Sequence, residues 1–169
     1  GISLLKKLSR TKDRFFTYRL LISPEITGTV FWLNKFKEQS NNFKYCILLK
    51  SVGNKNYIKL QKSFQGDTDI DNIASELIKK QFKKFKVGKF REIYGNDETV
   101  FNSPGYDIPS ISITRVPFKE YHTNQDKLSL INEKRLKEVE NFTFKIINSL
   151  EKKKKKLTFL NVNFKGLIC

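Results

Sequence analysis

TVFWLNKFKEQSNNFKYCILLK, residues 29–50, holds the only tryptophan of the chain, Trp32. Trp32 lies in the apolar run VFWL, and Tyr45 opens a second apolar run, YCILL. Short, β-prone runs separated by a polar, lysine-bearing stretch read as two strands joined by a loop. On that reading Thr29–Leu33 is a strand and Tyr45–Val52 its neighbour. Side chains alternate along a strand, so Tyr45, Ile47 and Leu49 share a face, and Trp32 can approach Tyr45 across the sheet. Two aromatic rings over a leucine make a slot the thickness of a nucleobase, although residue types alone favour ordinary core packing for each ring.

Working outward, residues 2–21 suggest a short helix followed by a strand around Phe16–Ile22. Tyr45–Val52 and Tyr57–Phe64 flank the turn-forming Gly53-Asn54-Lys55-Asn56 and predict a hairpin. Asp69 or Asp71 is placed to cap a helix on which Ile70, Ile73, Ala74, Leu77, Ile78, Phe82 and Phe85 share a face. Gly95–Pro109 reads as a turn-rich loop and Ser110–Phe118 as a strand. A long helix spans about Gln125–Leu150, and LTFLNVNF follows as a last strand or tail. The pattern predicts an α+β fold: a mostly antiparallel, partly open β-sheet or barrel flanked by helices, with a long C-terminal helix. Residues 1–150 read as one α+β domain, expected to bind DNA, and 151–169 as a basic run with a C-terminal strand or tail.

Lys and Arg number 33 against 17 Asp and Glu, a net charge of +16. Such a surplus opposes compaction by self-repulsion and points to a polyanionic partner, nucleic acid first. No run approaches the roughly 20 apolar residues of a membrane span, and the charged N-terminus does not resemble a signal peptide. Cys46 and Cys169 have no CxxC spacing and only His122 beside them, so neither a metal site nor a cofactor is expected, and a cytoplasmic location follows. The chain has no methionine and is read as a piece of something longer. His122 reads as an exposed loop residue. Asp107, Glu120 and Lys119 are the only hint of a Mg²⁺-dependent nuclease, without an acidic-x-lysine pair. A phosphate-binding GK[ST] loop is absent.

The spacing around VFWLNKF and NNFKYCILLK resembles the N-terminal DNA-binding domain of McrB-type modification-dependent restriction proteins. The resemblance extends as a pattern through QGDTD, the following helix, GYDIP and the long C-terminal helix. Phe31 and Cys46 stand where that family has proline. The resemblance implies a modified-cytosine specificity domain that flips the base into a pocket of Trp32, Tyr45 and Leu49. Lys35, Lys37, Lys44, Lys79, Lys80, Lys83, Lys86, Lys89 and Arg91 would hold the DNA backbone. It also implies a chain with no catalysis of its own, serving motor and nuclease parts of a restriction complex elsewhere. The alternatives are a duplex-reading restriction domain, an RNA-binding or ribosome-associated protein, or the small nuclease.

Overall fold

The computed structural model describes residues 1–165, with side chains through residue 155. Four strands form one open sheet: β1 (Cys46–Lys50), β2 (Ile58–Gln61), β3 (Phe85–Gly88) and β4 (Ser110–Thr114). Their order is β1-β4-β2-β3. β1 runs parallel to β4, β2 parallel to β3, and only β2 and β4 are antiparallel. The α+β class and the open sheet hold, but the sheet is mixed rather than mostly antiparallel.

The expected hairpin is the source of that difference. Its two strands form, yet β4 inserts between them. Every residue of β4 and β2 is buried, whereas β1 is half-buried throughout. A strand covered on both faces belongs in the middle of a sheet, so β4 takes the centre. The connection after β1 folds on itself instead: Asn54 Nδ2 donates to Ser51 O at 2.9 Å, and Asn56 N donates to Asn54 Oδ1 at 2.9 Å.

The helices are α1 (Ile2–Ser9), α2 (Thr27–Lys35), α3 (Asp69–Gln81), α4 (Glu98–Phe101) and α5 (Glu133–Lys165). α3 and α5 cover one face of the sheet. Ile70, Ala74 and Ile78 meet Val139, Phe142 and Ile146 over Leu60, Ile111 and Ile113. Thr68 rather than an aspartate is the N-cap of α3; Asp71 answers it from the third helical position, completing a capping box. α3 ends at Gln81, so Phe82 and Phe85 leave the helical face assigned to them. α5 runs helically through the stretch read as a last strand. Cys169 lies outside the described residues.

The stretch 29–33 is helical, a second correction. Thr29 and Leu33, four residues apart, are the buried positions of α2, while Val30 and Phe31 are exposed. That is the period of a helix, not of a strand. Gly28 permits the entry, because a Cβ there would lie 2.7 Å from both Pro24 Cδ and Ser23 Cβ. Residues 17–23, expected as a strand from Phe16, carry no regular secondary structure. The preceding turn is fastened to α5 by Glu151, which accepts from Phe15 N at 2.7 Å, Phe16 N at 3.1 Å and the Tyr18 hydroxyl.

Candidate functional site

Trp32, Tyr45 and Leu49 of the supposed base slot all line one cavity, but the two aromatic rings pack against different hydrophobic clusters. Trp32 stacks on Phe43 at 5.1 Å between ring centroids and packs with Leu33, Phe101 and Ile108. The Arg19 guanidinium lies 5.6 Å from the Trp32 ring centroid. Tyr45 belongs to the main core, edge-on to Phe16 at 6.1 Å, with its hydroxyl 3.5 Å from Asp69. Leu49 packs against that same core. Trp32 and Tyr45 therefore pack into two different hydrophobic clusters.

The nine basic residues assigned to a phosphate backbone are all exposed. Lys35 ends α2, Lys37 and Lys44 lie between α2 and β1, Lys79 and Lys80 end α3, and Lys83 follows it. Lys86 on β3 pairs with Glu92 at 3.1 Å, with Lys89 and Arg91 in the turn between them. Asp107 and Glu120 lie in separate turns, and Asp107 accepts from Gly105 N at 3.3 Å.

A different constellation assembles where β1 ends. Lys50, the last residue of β1, places its Nζ 2.6 Å from Glu25 Oε1. Asn96 Nδ2 donates to the same oxygen. The Lys50 ammonium also lies 5.3 Å from the Tyr94 ring centroid and 5.8 Å from that of Tyr121. Tyr121 in turn stacks on His122 at 3.9 Å. Ile26 N donates to Asp97 Oδ1 at 2.7 Å, tying the Glu25 loop to the Asn96 loop. Three loops thus converge on Lys50 at the carboxyl end of β1, the end at which open sheets with parallel strands bind ligands.

Backbone strain marks the same place. Glu25, Lys50 and Tyr121 are each followed by a non-glycine residue of positive φ: Ile26 at 60°, Ser51 at 50° and His122 at 62°. Isoleucine is sterically opposed to that region because its Cβ is branched, and such strain concentrates at functional sites. Burial opposes the charge of Lys50, but its bonds to Glu25 and Tyr121 outweigh that and raise its pKa above the ordinary lysine value. The ammonium therefore stays charged, and it remains partly open to solvent.

Beneath this cluster lies a buried carboxyl. Glu98 is fully buried, with Oε1 accepting from Gln61 Nε2 at 3.0 Å and from Asn96 N at 3.0 Å. Its Oε2, the Tyr94 hydroxyl and the Ser112 hydroxyl make no hydrogen bond of good geometry. Ser112 is nonetheless close enough to favour the ionised forms of both other groups. Burial dominates and pushes the Glu98 pKa above the usual carboxyl value. A carboxyl whose pKa is raised by folding loses stability as pH rises through that folded value. Glu98→Gln keeps an acceptor oxygen and adds donors for the orphaned hydroxyls. Its thermal midpoint should exceed that of the wild type by a few degrees near pH 8, and the gap should close toward pH 4. Calorimetry across pH checks this; a gap that widens at low pH contradicts it.

Sequence reading missed Glu25, Lys50, Tyr94, Asn96 and Tyr121 and set His122 aside as a loop residue. The available signal was the position of charge: TYRLLISPE and CILLK are β-prone apolar runs that each close on a charged residue.

The fold of this α+β chain is similar to those of solved structures named as peptidases and aminopeptidases. A zinc aminopeptidase from Bacillus subtilis superposes with a TM-score of 0.60 at 13% identity, over 75% of this chain and 33% of that one. The chain belongs to the family described as a domain of unknown function (DUF4910), matching it over residues 1–153. A Clostridium acetobutylicum crystal structure named as a peptidase gives a TM-score of 0.82 at 28% identity, covering 89% of this chain and 36% of that one. A protein of the same organism, named for polysaccharide biosynthesis with an aminopeptidase-like domain, is 29% identical over 169 residues. Those residues are 96% of this chain but 38% of that relative's length.

These matches overturn the McrB-type resemblance. They equally overturn the modified-cytosine, base-flipping DNA-binding restriction role, the non-enzymatic assignment, and the DNA and restriction-complex partners. The physical reason lies in the charge argument. A net charge of +16 belongs to a chain matching 38% of a relative, and several of its lysines pair within the fold. Among the described residues no helix is long and apolar enough to cross a membrane.

Proposed function

We propose that this chain forms one wall of the active site of an aminopeptidase-like hydrolase domain, with Glu25, Lys50 and Asn96 at the centre of the wall. The observation that supports this reading is the strained, polar convergence at the carboxyl end of β1, in a chain 28–29% identical to relatives named for peptidase or aminopeptidase-like domains. The substrate class is a peptide or aminoacyl amide.

The chemistry follows from the groups present. Glu25 has an exposed carboxylate that can take a proton from water or bind a substrate ammonium. The Lys50 ammonium pairs with that carboxylate and can stabilise negative charge developing on the attacked carbonyl oxygen. Asn96 fixes the carboxylate, while Tyr121 and His122 border the same opening. Zinc, named for the Bacillus enzyme, does not fit this chain by itself. Among the described residues no group of three His, Cys, Asp or Glu side chains could hold a metal. The place beside Glu25 is taken by a cation already, Lys50.

The test is hydrolysis of aminoacyl 4-nitroanilides by the full-length polypeptide that carries this chain. Glu25→Gln should lower kcat/KM about 100-fold, the scale of one general acid–base group, without moving the thermal midpoint appreciably. Wild-type turnover no faster than buffer, or an unimpaired variant, would refute the proposal.

A further inference from the structure

One edge of the sheet is left open in a way that defines an occupant. β1 is a terminal strand, bonded only to β4, so the amides and carbonyls on its outer side have no strand to meet. Residues 17–22, TYRLLI, line the same cavity as β1. Among the described residues, no backbone N–H or C=O of that stretch forms a hydrogen bond. Leu20 and Ile22 are 37% and 77% exposed. A cavity of about 930 Å³ is lined by Thr17–Ser23 and by Lys44–Lys50, with Leu4 and Leu8 of α1 and Ile147 and Leu150 of α5 also in its wall. Its lining is predominantly apolar, with Leu20, Leu21, Ile47 and Leu49 among it.

Two unpaired, β-prone backbone runs facing one apolar cleft are the arrangement that receives a strand, which pairs through its main chain on both sides. The continuous apolar run Cys46–Leu49 is the composition of a parallel strand covered on both faces, yet β1 is only half-buried here. An exposed apolar edge is also an aggregation hazard that native proteins cover. The lengths of the relatives supply the source: this chain matches 36–38% of each, so most of such a polypeptide lies beyond these residues.

We infer that the cleft lined by β1 and residues 17–22 receives an extended apolar strand from the remainder of the full-length polypeptide. The inserted strand makes residues 17–22 a fifth strand and β1 an interior one. It also fixes the position of Glu25, three residues beyond Ile22, relative to Lys50 at the end of β1. The inference concerns assembly of the sheet and stands whether or not the site hydrolyses peptides.

Hydrogen exchange followed by mass spectrometry decides it. In the full-length polypeptide, the amides of residues 17–22 and of β1 should be protected together, exchanging at least about 100-fold more slowly than in an unfolded chain. Exchange of residues 17–22 at the unfolded rate in that polypeptide overturns the inference. The isolated 169-residue chain gives the second arm. Unprotected residues 17–22 in a monomer agree with the proposal. Protection that appears only in a dimer of the isolated chain assigns the cleft to a second copy and overturns it.

Discussion

Replacing Arg115 by methionine should destabilise the protein by about 2–6 kcal/mol, since two buried carbonyls lose their donors at about 1–3 kcal/mol each. The Arg115 side chain is 1% exposed. Its Nε donates to Val52 O at 2.9 Å, one terminal nitrogen donates to Asn56 O, and the other donates to Glu138 Oε2 at 3.1 Å. One guanidinium thereby joins the residue after β4, the connection following β1, and α5. Burial and the neighbouring Arg135 charge lower its pKa, and Glu138 works against both. Methionine fills much of the space but leaves two carbonyls buried without donors. Glu138 keeps Arg135 at 2.8 Å, so the loss falls on the backbone carbonyls. Arg115→Lys should recover little, because one ammonium cannot reproduce a planar fork of donors. Urea unfolding of the three proteins measures this. A change below about 1 kcal/mol for methionine would show that the connection after β1 is held by something else.

The second large effect is expected at Asp71. This carboxylate is fully buried at the start of α3 and accepts four hydrogen bonds. They come from Ser63 N at 2.7 Å, Ser63 Oγ at 2.6 Å, Thr68 N at 3.1 Å and Thr68 Oγ1 at 2.6 Å. It closes the turn after β2 and completes the helix cap at once. Asp71→Ala should lose about 3–5 kcal/mol, since charge-assisted bonds are worth about 1.5–3 each and the abandoned donors stay buried. Asp71→Asn keeps one acceptor oxygen and should fall between alanine and wild type. Thermal denaturation ranks the three; an alanine variant as stable as wild type would contradict the role of this box.

Local elements were more legible than their arrangement. The α3 face of Ile70, Ala74, Ile78 was visible because three- and four-residue spacing is a local signal. The strands at Cys46–Lys50, Ile58–Gln61 and Ser110–Thr114 were visible for the same reason. Their pairing was not, because insertion of β4 between β1 and β2 depends on contacts about 60 residues apart in sequence. Thr29–Leu33 misled because VFWL is apolar over four residues, too short to separate period 2 from period 3.6. The site was hidden for a related reason. Glu25, Asn96 and Tyr121 belong to three loops and Lys50 to the end of a strand, and nothing local marks a lysine as the neighbour of a distant glutamate. Net charge was the loudest feature of the sequence and pointed to the wrong partner, because charge bears on association and not on fold.

The measurement that bears most directly on the proposed site is photo-crosslinking of the full-length polypeptide with a dipeptide amide carrying a diazirine. Labelled peptides should come from the loops around Lys50, Tyr94–Asp97 and Tyr121–His122, and unlabelled dipeptide amide should compete the labelling away. Labelling that avoids these loops, or that competitor leaves unchanged, would contradict the assignment of the carboxyl end of β1 as a peptide-binding site.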